Sequence, residues 1–194
     1  MNQPRFSCAF LNAKYMNNVA SMARTAALMH CTKFYFSADP VEDNALEKGM
    51  PMSRKTVITN SNKDQQKMVN YSRGYSHDVD HEFLPTNEAC IDMIKEFDGM
   101  VIMMEAGDFP SVFKIIDSVV EIKDNTLFVF GGERAGVPGI PLEIVDAVTE
   151  LDHVIMTTIP VKNCIHGLGN TSGNVCAMMG VVVGAWAGAL SRLL

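Results

Sequence analysis

The stretch Thr126-Leu127-Phe128-Val129-Phe130-Gly131-Gly132-Glu133-Arg134-Ala135-Gly136-Val137-Pro138 decides the fold. Its first part is a short run of β-branched and aromatic residues, which suits a strand buried on both faces. Its second part is a turn with glycine at 131, 132 and 136. In a parallel α/β sheet, ligands bind beyond the carboxyl ends of the strands, where bare backbone allows close approach. A tight turn explains the same glycines equally well. The spacing is neither GxGxxG nor GxxxxGK[ST], which argues against a standard dinucleotide or P-loop site.

Outward from this stretch, strand-like runs recur at Phe6–Leu11, Lys33–Ser37, Thr56–Thr59, Met100–Met104 and His153–Ile159. Helical patterns lie between them. Asn17 or Asn18 is placed to cap a helix with apolar residues at Val19, Met22, Ala23, Ala26 and Ala27, and Thr86 to cap another over Ala89–Phe97. Further helices fit Ser111–Val120, Pro141–Val148 and Ser172–Leu193. Strands alternating with helices predict an α/β fold with a mainly parallel sheet and helices on both faces. A chain of 194 residues, 47% hydrophobic, is enough for one core, and residues 1–194 read as a single domain. Residues 42–85 break the rhythm. They are polar, carry Lys48, Arg54, Lys55, Lys63, Lys67 and Arg73, and offer one convincing strand, which marks a variable excursion able to face a partner.

Composition narrows the function. A formal charge of −6 argues against broad nucleic-acid binding, so any RNA site must be a local patch. The five cysteines are scattered without CxxC spacing, as expected of free thiols in a reducing cytosol, and no metal site is expected from them. His77 and His81 are four apart among acidic residues, but such histidines in a polar segment are more often solvated than metal-bound. The amino terminus lacks a leader pattern, predicting a cytoplasmic protein. The uncharged run Val175–Leu190 falls short of the ~20 residues needed to span a bilayer. Gly180, Gly184 and Gly188 line one face of that helix, which suits close packing in the core or against another subunit.

Two polar clusters accompany the glycine loop. Asn12, Asn17, Asn18 and Arg24 follow the first strand, placed either to orient a substrate or simply to cap a helix. Ile159-Pro160-Val161 leads through Gly167-Leu168-Gly169 to Thr171-Ser172-Gly173-Asn174 at the start of the last helix. Tyr71 and Tyr75 stand beside Lys67 and Arg73, a mixture that can stack on unpaired bases or form an ordinary wet surface.

In order and spacing, these three clusters resemble the three motifs of the SpoU-type RNA ribose methyltransferases of the SPOUT superfamily. The first motif matches at Asn18-Val19-Ala20-Ser21-Met22-Ala23-Arg24-Thr25-Ala26-Ala27, with Ala20 where glycine is usual. The second matches from Leu127 to Val137, except that Gly132 replaces asparagine and Arg134 replaces glycine. The third aligns Ile159-Pro160-Val161 with Ser172-Gly173-Asn174-Val175 once a longer loop is allowed between them.

The resemblance implies a C-terminal deep trefoil knot, a homodimer, S-adenosylmethionine as cofactor, and methyl transfer to a ribose 2′-hydroxyl of a tRNA or rRNA. It assigns cofactor contacts to Phe130, Gly131, Gly132, Ile159, Val161, Leu168 and Gly173. It assigns the reacting site to Arg24, Asn18, Glu133, Ser172 and Asn174. Arg24 would take the hydroxyl proton, or clamp a phosphate and orient the hydroxyl, since a guanidinium is a standing cation in water. Two rivals remain: a knotted base methyltransferase, and a noncatalytic RNA-binding or assembly protein that keeps the fold. The departures at Ala20, Gly132, Arg134 and Gly173 keep the second one open.

Overall fold

A computed structural model describes residues 5–38, 58, 60–105, 108–118, 125–132, 139–158 and 175–191. In chain order the elements are β1 (Arg5–Ala13), α1 (Met16–Leu28), β2 (Lys33–Ala38), α2 (Asn62–Ser72), a 3-10 turn (Tyr75–Asp78), β3 (Asp80–Leu84), α3 (Asn87–Lys95), β4 (Met100–Met104), α4 (Val112–Ser118), β5 (Asn125–Gly131), α5 (Leu142–Val148), β6 (Val154–Thr157) and α6 (Val175–Ser191). The six strands form one sheet in the order β3-β2-β1-β5-β4-β6, every pair parallel.

Side chains alternate across a strand, so β1 divides its residues between two cores. Phe6, Cys8 and Phe10 join α1, Met68 of α2, Val112 and Ile116 of α4, and the buried side of α6. Ala9 and Leu11 join Cys90 and Ile94 of α3 and Ile144 and Val148 of α5. Both faces are therefore covered, as the nearly unbroken apolar character of the central strands requires. Trp186 of α6 stands edge-on to Phe6 and Phe128, at 5.5 and 5.8 Å between ring centroids. Each such pair contributes about 0.5–1.5 kcal/mol beyond the area it buries.

Several expectations are met with shifted ends. The strands at Phe6–Leu11, Lys33–Ser37, Met100–Met104 and Thr126–Phe130 are present, and β6 is shorter than His153–Ile159. His153 precedes β6, with its Nε2 3.1 Å from the Ile94 carbonyl oxygen. Thr86 caps α3, its hydroxyl accepting from the Ala89 amide at 3.2 Å. The strand expected at Thr56–Thr59 lies outside the described residues except for Ile58, which is buried without regular structure. No helix among the described residues is long and apolar enough to cross a membrane.

Two expectations are corrected. Asn17 and Asn18 do not cap α1: the cap is Tyr15, extended and without a side-chain bond, and both asparagines lie inside the first turn. The segment 42–85 is also more than an excursion with one strand, because it supplies α2 and the sheet's edge strand β3. Both were hard to see for physical reasons. α2 buries only Asp64, Met68 and Ser72, a stripe with a single apolar residue. β3 pairs on one side only and exposes Asp80, His81 and Glu82, the polar character by which edge strands resist further pairing. Glu82 accepts from Lys33 at 2.6 Å across the β2–β3 pair, and that bond raises the Lys33 pKa.

Candidate functional site

From β1 the chain moves outward to β2, whereas from β5 it moves outward in the opposite direction to β6. Opposed connections of this kind open a crevice beyond the carboxyl ends of the two strands. Here it lies past the last β1–β5 pair, Leu11 with Gly131. Asn12, Gly132 and Gly139 meet at that end of the two strands.

The three glycines are fixed by contact with backbone. A Cβ on Gly132 would stand 2.1 Å from the Asn12 carbonyl oxygen, one on Gly131 2.4 Å from the Gly139 carbonyl carbon, and one on Gly139 2.7 Å from the Gly132 carbonyl oxygen. The missing side chains thus make room for protein backbone. Across this neck the Gly132 amide donates to the Gly139 carbonyl at 3.0 Å. Glu105, just past β4, accepts from the amides of Gly139 and Ile140 at 3.1 and 2.7 Å. Charge-assisted bonds of this type are about twice as strong as neutral ones, so Glu105 fixes the return point of the loop that leaves β5.

Asn12 closes the other side. Its φ of 60° lies in the left-handed region, which asparagine tolerates better than most residues. Its amide donates to Ser37 Oγ at 2.8 Å and its Nδ2 to the Gly139 carbonyl at 3.3 Å. The residue is 5% exposed. Its Oδ1 is buried and has no hydrogen-bond partner among the described residues.

Arg24 lies on α1, half-buried, with its guanidinium 5.3 Å from the centroid of the Tyr75 ring. The 3-10 turn and α2 pack on α1, which brings the basic segment against the helix that carries Arg24. Asn18 is half-buried in the first turn of the same helix. Six residues of helix separate the two by about 9 Å along the axis and about 120° around it, so they do not share a face. Phe130 puts its ring into the core and leaves only its peptide group near the crevice. Ala20, where the motif has glycine, is fully buried within α1. Glu133, Ile159, Val161, Leu168, Ser172, Gly173 and Asn174 lie outside the described residues, as does the segment expected to be knotted.

Glu105 was missed in the sequence. Its signal was a lone carboxylate directly after the apolar run Met100–Met104, the place where a buried strand opens into a crevice. No group of His, Cys, Asp and Glu able to hold a metal occurs among the described residues.

No protein-family model matches this sequence, and no curated protein resembles it at the level of sequence. Solved structures do match. The TrmH/SpoU tRNA modifying enzyme of A. aeolicus superposes with a TM-score of 0.63 at 14% identity, over 98% of this chain and 78% of that one. The SpoU methyltransferase AviRb of Streptomyces viridochromogenes, solved with AdoMet, gives 0.63 at 13% identity, over 100% of this chain and 62% of that one. An AdoMet-bound rRNA methyltransferase from Sinorhizobium meliloti gives 0.63 at 14%, over 100% and 58%. The chain therefore spans about three-fifths of the latter two.

The fold is that of a parallel α/β protein with its crevice at a strand-order switch. More particularly, it is the fold of the SpoU-type RNA methyltransferases.

Proposed function

We propose that this chain is an S-adenosylmethionine-dependent RNA methyltransferase that modifies a ribose 2′-hydroxyl in tRNA or rRNA, acting as a homodimer with a knotted carboxyl-terminal segment. The observation that carries the reading is the crevice between β1 and β5. Close-packed backbone at Gly131, Gly132 and Gly139 and an unpaired buried acceptor on Asn12 meet there, and Arg24 lies on the helix that follows β1. The solved neighbours of the same fold, two of them with AdoMet bound, point to the same chemistry.

These residues fit the proposed cofactor. Peptide groups at Phe130, Gly131 and Gly132, together with Ile159, Val161, Leu168 and Gly173, would hold the adenosyl and methionine parts, with little demand on side-chain identity. The bound cofactor supplies an electrophilic methyl group on a sulfonium. The chain's own contribution is then mainly alignment of the ribose oxygen. Arg24 would clamp an RNA phosphate and orient the hydroxyl or accept its proton. Asn18 and Asn174 would orient the ribose, Glu133 would hold Arg24 or its neighbouring loop, and Ser172 would brace the last helix. Tyr75 keeps the Arg24 guanidinium from ranging freely.

The dimer reading is supported by α6. One side of it, with Met179, Val182, Val183 and Trp186, is buried in the core. On the other, a Cβ at Gly180, Gly184 or Gly188 would meet nothing within 4 Å, and Val181 is 54% exposed. An uncharged face of small residues lets a second helix backbone approach closely.

One observation favours a second reading. At Gly132, where the motif has asparagine, the Asn12 carbonyl leaves no room for any side chain. A noncatalytic RNA-binding or assembly protein tolerates that loss more readily than an enzyme does.

Calorimetric titration with S-adenosylmethionine, solution mass, and nucleoside analysis of RNA incubated with protein and cofactor test the proposal together. Binding to a dimer and a 2′-O-methylated nucleoside are expected. A methylated base would replace ribose by base specificity, and a dimer blind to the cofactor with or without RNA would favour the noncatalytic reading.

A further inference from the structure

The described residues contain two buried side-chain atoms without partners, Asn12 Oδ1 and Trp186 Nε1, and their settings differ. Trp186 packs against Phe6 and Phe128, in the aromatic core toward the amino end of β1. Asn12 lies at the carboxyl end of the same strand, just past its last pair with β5, where the opposed connections of β1 and β5 would admit a ligand.

We infer that the Asn12 carboxamide oxygen is a hydrogen-bond acceptor for the adenosyl part of the cofactor, taking an N–H or O–H from its amino or ribose hydroxyl groups. This deepens the methyltransferase reading and rests on it.

Three observations argue for a ligand contact. First, the amide cannot simply be turned round: Nδ2 donates to the Gly139 carbonyl, and a flip would set two oxygens against each other. The free end is therefore an acceptor, and the missing partner must be a donor. Second, the side chain is held. Its backbone amide is tied to Ser37 Oγ at 2.8 Å, its carbonyl abuts Gly132, and its φ of 60° fixes the direction of the side chain. An acceptor fixed before binding loses little freedom on meeting its ligand. Third, the residue is 5% exposed and its acceptor is left without a bond, and an unpaired buried polar atom is costly enough to call for a partner. Amines and hydroxyls are the donors an adenosyl group offers. The acceptor would thus add side-chain selectivity to a site otherwise built from peptide groups.

The test is calorimetry of the full-length protein with S-adenosylhomocysteine, and with analogues that lack the 6-amino group or one ribose hydroxyl. Wild type and Asn12→Gly are compared, because glycine accepts the left-handed backbone without strain. The expected result is that one analogue binds wild type about tenfold more weakly than the parent, the worth of one hydrogen bond. Asn12→Gly should bind the parent and that analogue equally weakly, with the other analogues unaffected by the substitution beyond this common loss. If the variant weakens every ligand by the same factor and the analogue differences persist, Asn12 only supports the Gly139 neck and the inference is overturned. If the variant fails to fold, the wild-type analogue series still decides: no loss with any analogue overturns the contact. If wild type binds neither S-adenosylhomocysteine nor S-adenosylmethionine, the methyltransferase reading fails and this inference falls with it. Binding by wild type with an unchanged Asn12→Gly removes the inference alone.

Discussion

Two groups of glycines in this molecule look alike in the sequence and are opposites in space. Gly131, Gly132 and Gly139 sit where any Cβ would strike backbone, whereas Gly180, Gly184 and Gly188 face open space. The first group exists because chain segments inside one subunit are pressed together at the crevice. In the second, an added Cβ would meet nothing within 4 Å, so packing within the described residues does not call for glycine there. A glycine motif alone cannot tell these apart. What a side chain would touch does.

The contrast can be broken most forcefully at Gly132. Gly132→Val should destabilise by about 3 kcal/mol or more, because the obstruction is backbone that cannot turn aside. Urea denaturation reads it, and a loss under 1 kcal/mol would mean that the neck is not close-packed. Glu105→Gln keeps the shape and one acceptor but removes the charge shared by two amides, so a loss of about 1–2 kcal/mol is expected in the same measurement. Gly184→Ala should have the reverse sign. In an isolated helix it stabilises by up to about 1 kcal/mol, so the thermal midpoint at low concentration should rise while sedimentation shows a weaker dimer. A midpoint that falls at low concentration would show the face to be packed within the subunit. Tyr75→Leu removes the ring beneath Arg24, and RNA affinity should drop about two- to fivefold, as fits a cation–π contact worth ~0.5–1 kcal/mol, with Tyr75→Phe close to wild type. Equal losses in both variants would point to the hydroxyl instead.

The smallest effect concerns the second core. Burial pushes the Cys90 thiol up to about 11 from an ordinary 9.0. The unfolded thiol ionises first, so its contribution to stability is present below pH 9 and is lost as pH rises towards 11. Thiol reagents should accordingly reach Cys90 in native protein at pH 8 only slowly, and modification as fast as in urea would contradict its burial.

The central strands were legible because they are apolar on both faces, and β1, β4 and β5 depend on nothing else. β3 and α2 were not, since an edge strand and a narrow helix bury too little to leave a period in the sequence. At the site, Arg24 stood out by motif, but its contact with Tyr75 depends on how the segment 62–78 folds back, which no local pattern encodes. Asn12 was visible only as one of several polar amides. Its left-handed backbone and its unpaired oxygen arise from the meeting of strands far apart in sequence.

That meeting also sets a timetable. β1 ends at Ala13, yet its neighbour β5 begins only at Asn125, and in the finished sheet the two are paired from Arg5–Asn125 through Leu11–Gly131. At ~5–20 residues per second of synthesis, the newborn β1 waits on the order of ten seconds with one edge unpaired. Its run Phe6–Leu11 is uncharged and apolar except for Ser7, the kind of edge other chains readily join. A chaperone that shields Phe6–Leu11 during that interval would protect the Asn12 end of the strand as well as the strand itself.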